Sequence, residues 1–80
     1  MSLKQNGKYI HGDFITVANY TKHWTQVDVA PSIFYSKQEE YERITNQVKG
    51  LYTDLEDDRT SCVRFQLPED AVNFRLQFNG

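Results

Sequence analysis

The stretch SCVRFQLPEDAVNFRLQFN, residues 61–79, decides the reading of this chain. Val63, Phe65 and Leu67 alternate with Cys62, Arg64 and Gln66. Beyond Pro68, Glu69, Asp70 and Ala71, the residues Val72, Phe74, Leu76 and Phe78 alternate with Asn73, Arg75 and Gln77. Period-two alternation sends one set of side chains to a buried face and the other to water. The segment is therefore expected to be an antiparallel hairpin with Phe65 and Phe74 in the core.

Working back from it, Ser36 as N-cap and Glu39 three residues later form a capping box. Tyr41, Ile44, Val48, Leu51, Tyr52 and Leu55 recur at spacings of three and four, the one-sided stripe of a helix. A helix is expected from Lys37 to Asp54 or Leu55, with Gly50 inside it at a cost of about 1 kcal/mol relative to alanine. Further back, β-branched and aromatic residues predict a strand over Phe14–Asn19, a turn, and a second strand over Trp24–Val29, ended by Pro31. A short additional strand is expected at Tyr9–His11, and residues 1–7, which are polar, are expected to be loose. Phe14, Val27 and Val29 are expected to join the core. The fold class is α+β: an antiparallel sheet of about four strands in two hairpins, order β-β-α-β-β, with one amphipathic helix across a face.

Eighty residues make one small domain, 1–80, and an apolar fraction of 39% with 14% aromatics suits a packed core. No apolar run approaches the roughly 20 residues needed to cross a bilayer, and the first residues carry no secretory h-region. The single cysteine, Cys62, rules out an internal disulfide. A cytoplasmic setting with no membrane partner follows. A net charge of −2 argues against nucleic acid as the main partner, because such domains grip phosphates with clustered lysine and arginine.

Several residues are candidates for chemistry. In the expected hairpin Arg64 stands opposite Arg75, and two like charges in that position either splay into water or hold a carboxylate or phosphate between them. His11, Asp13 and His23 could form an acid–base or metal set, but they are scattered rather than held on one element. The acidic run at Asp54, Glu56, Asp57 and Asp58 lacks the spacing of a calcium loop. Cys62 has no base or oxyanion site to make it a nucleophile. No catalytic residue, metal site or cofactor is assigned.

Ile15, Val17 and Trp24 are left on the second face of the first hairpin, and an apolar, aromatic face of that kind marks an interface. The functional expectation is a small non-catalytic protein-interaction module (an inhibitor, an adaptor or a small subunit of an assembly). It would bind another protein, or itself as a homo-oligomer, through Trp24, Ile15 and Val17, with Arg64 and Arg75 as anion contacts. The alternative is a nucleic-acid-binding or RNA-processing domain using Arg64, Arg75, His11 and His23.

Overall fold

Gly7 reverses the chain at its start. Its φ of +65° is the left-handed conformation open to glycine. Lys4–Asn6 (β1) therefore folds back antiparallel on Tyr9–His11 (β2), pairing Asn6 with Tyr9 across a two-residue loop. A computed structural model describes residues 3–78. Residues 4–6, expected to be loose, are thus a strand, while residues 1 and 2 lie outside the described residues.

The next element departs from expectation. Phe14–Tyr20 is a helix, α1, and not a strand. Asp13 caps it, its carboxylate accepting from the Thr16 amide at 3.0 Å and the Thr16 hydroxyl at 2.8 Å. This satisfies the Thr16 amide, one of those the first turn leaves without a partner, and it outweighs the strand preference of Ile15, Thr16 and Val17. Thr25–Val29 is a strand, β3, as expected. Pro31 ends it and occupies the first turn of a short helix, α2 (Pro31–Ser36).

The long helix expected from Lys37 is shorter: α3 runs Gln38–Thr45. The capping box does not form. Lys37 is the N-cap without a side-chain bond, and the Ser36 hydroxyl donates back to the Ile33 carbonyl. Tyr52–Glu56 is a strand, β4, which pairs antiparallel with Ser61–Phe65, β5. In their connection the Asp57 carboxylate accepts from the amides of Arg59 and Thr60. The C-terminal half of the opening stretch is not a strand either. Pro68–Phe78 is a helix, α4, with Pro68, Glu69 and Asp70 supplying the start that proline and acids favour. No helix among the described residues is long and apolar enough to cross a membrane.

Among the described residues the sheet therefore has five strands in the order β1-β2-β4-β5-β3, and it is mixed: β2 and β4 are parallel, the other neighbours antiparallel. Among the described residues four helices accompany it, not one. Both long connections are crossovers. One passes from β2 through α1 to β3 at the far edge; the other returns from β3 through α2 and α3 to β4.

Register divides the side chains between two faces. Val27, Val29, Val63 and Phe65 face α3 and α4, and are sealed by Ile44, Val48, Ala71, Phe74 and Phe78. Phe65 and Phe74 are fully buried, with ring centroids 5.2 Å apart, so the core role expected of both holds. Their partners in the expected alternation, Val72 and Leu76, face water at 56% and 70% exposure. The opposite face carries Ile10, Thr53 and Leu55, and α1 lies across it with Val17 and Thr21 turned inward. Phe14, expected in the core, is half-exposed on that helix.

Candidate functional site

Tyr9 of β2 pairs with Tyr52 of β4, and the Tyr52 amide donates to the Lys8 carbonyl at 2.9 Å. Alternation along β4 puts Tyr52, Asp54 and Glu56 on the same face as Val63 and Phe65. The helix α3 crosses this face because its Ile44, and Val48 just beyond its end, are drawn into the core. That anchorage places Tyr41 above the sheet, its ring 4.8 Å from Phe34, 6.0 Å from Phe74 and 6.4 Å from Tyr52.

Three tyrosines from three elements thus surround one carboxylate. The Tyr9 hydroxyl donates to Asp54 Oδ1 at 3.0 Å, and the Tyr41 hydroxyl to Asp54 Oδ2 at 2.9 Å. The rings of Tyr9 and Tyr52 lie 5.4 Å apart, and the His11 ring stacks on Tyr9 at 5.4 Å. Between them is a cleft of about 280 Å³ lined by Tyr9, Tyr41, Tyr52, Asp54, Glu42, Thr45 and Asn46. A smaller hollow of about 190 Å³, reaching His11, Gly12 and Phe14, shares Tyr9 and Asp54 with it.

The electrostatics of the cleft are one-sided. Its lining has two carboxylates and no basic residue. Among the described residues the one ion pair is Lys49–Glu69 on the surface, so half-buried Asp54 has no cationic partner. Burial first, and then the Asp54 charge, push the phenols of Tyr9 and Tyr41 well above the ordinary tyrosine range. Both therefore remain neutral donors rather than bases or nucleophiles. Thr45 turns its hydroxyl to the Tyr41 carbonyl at 2.8 Å.

The residues singled out in the sequence are dispersed. Arg64 lies on the α1 side of the sheet, donating to the Ala18 carbonyl at 3.0 Å, the Thr21 hydroxyl at 3.1 Å and the Gln26 side-chain oxygen at 3.1 Å. Arg75 is exposed on α4, across the sheet, so the expected opposition of the two arginines does not exist. Val17 is buried beneath α1 at 2% exposure, while Ile15 points outward at 71%. Trp24 is half-buried just after α1, its ring 6.0 Å from Tyr20. Val17, Trp24 and Arg64 thus gather around the C-terminal half of α1; Ile15 and Arg75 stand apart.

Asp13 is committed to capping, His23 is exposed in a turn, and no three potential ligands among the described residues converge on a metal position. Burial pushes the Cys62 thiol up, with neighbouring Arg64 only partly opposing it. The tyrosine cleft itself was hidden in the sequence because Tyr41 and Tyr52 fit the stripe of one long helix. The alternation of Tyr52, Asp54 and Glu56 with Thr53 and Leu55, just after Gly50, is the signal that marks a strand there.

A hollow of about 490 Å³ at the β3 edge, between Gln26, Asp28 and Arg59, contains no aromatic ring. Compared with known proteins, the chain matches no family model, no curated protein and no solved structure.

Proposed function

We propose that this chain is a non-catalytic protein-interaction module and that it receives its partner at the tyrosine-lined cleft around Asp54. One observation carries the reading. Asp54 is a half-buried carboxylate held rigid by two phenols, and it faces an open cleft with no cation among the described residues to meet it. Leaving a carboxylate partly desolvated and unpaired costs stability, and a fold tolerates such a cost where binding uses the group. Tyrosine-rich clefts also suit interfaces, since rigid amphipathic rings supply contact area at small entropic cost. The reading keeps the module in a reducing, cytoplasmic setting, where free Cys62 stays a thiol.

The test compares the immobilised chain with its Tyr9→Ala and Asp54→Asn variants, each first checked for native circular dichroism, as bait in an extract of the native host. A specific partner retained by the parent and by an Ile15→Ser control, but lost from both cleft variants, is the expected result. A partner held equally by all four would move the interface elsewhere.

Self-association is a second reading, favoured by β3, which ends the sheet with its outer edge unpaired among the described residues. Sedimentation over a wide concentration range checks it; a monomer throughout removes it. The nucleic-acid alternative loses its motivation once Arg64 is spent inside its own chain, and it predicts salt-sensitive retention in a gel shift.

A further inference from the structure

We infer that the group this cleft takes is an alkylammonium, presented as the side chain of a lysine, free or N-methylated, on a protein partner. The inference rests on the interaction-module reading and specifies what enters the site.

Hydrogen-bonding capacity points to a cation. The protons of Tyr9 and Tyr41 are directed at Asp54, and that of Thr45 at the Tyr41 carbonyl. Three of the lining donors are therefore spent within the wall. The acceptors are not: an ionised carboxylate offers about four lone-pair sites, and the phenols occupy one on each oxygen of Asp54. Glu42 adds a second carboxylate at the rim. Tyr52 and Asn46 keep a donor each, but the charged groups of the lining are both carboxylates, so a ligand bringing positive charge is favoured over phosphates, carboxylates and other anions.

The aromatic lining selects among cations. Ring faces carry negative charge density and attract ammonium groups within about 6 Å of the centroid, most strongly when the cation is stripped of water. Tyr9, Tyr41 and Tyr52 all line the cleft, with centroids 5.4 Å (Tyr9–Tyr52) and 6.4 Å (Tyr41–Tyr52) apart, so a cation seated beside Asp54 lies next to aromatic walls from three elements. A small hard metal ion demands several oxygen ligands, and no cluster of that kind occurs among the described residues. A lysine fits the remaining geometry: its head pairs with Asp54 and Glu42 while its methylene stem, or added methyl groups, lie along the rings.

The test is an NMR titration of the full chain with a short capped peptide carrying one central residue: lysine, trimethyl-lysine or norleucine. Free choline is the fourth probe. Saturable shifts confined to Tyr9, Tyr41, Tyr52 and Asp54 are expected with the two cationic peptides and not with norleucine. Asp54→Asn should weaken the cationic peptides roughly tenfold or more. Because Asp54 also holds two tyrosines, Glu42→Gln provides the second variant: the exposed carboxylate bonds to no described residue, and its loss should weaken binding about two- to five-fold. Norleucine binding as well as lysine would overturn the ammonium assignment and leave the cleft as a docking site. Choline binding without the peptides would overturn the lysine source. No response to any probe would overturn the inference outright, while the host-extract comparison judges the interaction reading separately.

Discussion

The guanidinium of Arg64 on β5 donates to the carbonyl of Ala18 on α1 at 3.0 Å, across the face of the sheet opposite the main core. Ala18 is in the last turn of a short helix, where carbonyls lack intrahelical partners and a cation complements the dipole. The same guanidinium reaches Thr21, whose hydroxyl in turn donates to the Val17 carbonyl at 2.8 Å. One side chain thus fastens α1 to the sheet. Arg64→Met should cost roughly 1–3 kcal/mol and speed amide exchange over Val17–Thr21 more than elsewhere. Arg64→Lys should recover little of this, since an ammonium cannot span the three acceptors as a fork does. Urea titration and hydrogen exchange check both; unchanged exchange in α1 would show that the helix is held by packing alone.

Phe74 and Phe65 are buried against each other from α4 and β5. Truncating either to alanine should cost about 3–5 kcal/mol through lost transfer energy and the cavity left behind. That is most or all of the stability expected of so small a domain, of order 5 kcal/mol. Melting of either variant within a few degrees of the parent would contradict their place in the core.

Asp70 is buried and its carboxylate accepts the backbone amides of Lys49 and Gly50, the latter at 3.0 Å. Asp70→Ala strands both donors and should cost about 1–3 kcal/mol. The same junction explains Gly50: a Cβ there would lie 2.8 Å from Leu67 Cγ. Gly50→Ala is expected to destabilise by about 1–3 kcal/mol through overpacking. Denaturant midpoints measure both, and a neutral Asp70→Ala would mean that water replaces the carboxylate.

Burial, then the Asp54 charge, hold Tyr9 and Tyr41 neutral beyond the usual tyrosine value of about 10. A raised folded-state value means that this contribution is intact below about pH 10 and is lost as pH rises towards the folded-state value. Tyr9 and Tyr41 should therefore ionise late, together with alkaline unfolding. Phenolate absorbance followed alongside circular dichroism checks this. Complete ionisation near pH 10 with the fold intact would show that neither hydroxyl is sequestered by Asp54.

The α+β class, the strand at β3, the helix following Ser36 and the burial of Val63, Phe65 and Phe74 were legible in the sequence. The failures have a common cause. From Val72 to Phe78 the apolar residues fit both periods: alternate positions as a strand, and Phe74 with Phe78 as a helix face. Pro68, Glu69 and Asp70 break the tie towards a helix, and start signals of that kind outrank a four-fold alternation. Asp13 three residues before Thr16 does the same for α1. Asn6-Gly7 is likewise a hairpin signal, and it builds the strand that carries Tyr9. The cleft depends on Tyr9, Tyr41 and Asp54 meeting through a crossover, and no local pattern encodes a contact of that range.

The order of the sheet also constrains how the molecule comes into being. The early strands β2 and β3 lie on opposite sides of a ribbon, β4–β5, that is made after both. Until that ribbon exists β3 has no neighbour and β2 has only β1, a hairpin marginal in water by itself. A fragment of residues 1–50 is expected to be unfolded, and a dispersed, native-like NMR spectrum from it would contradict that. The chain's shape is thus acquired late, once residues 52–65 are there to join the two early strands and α4 can close over them.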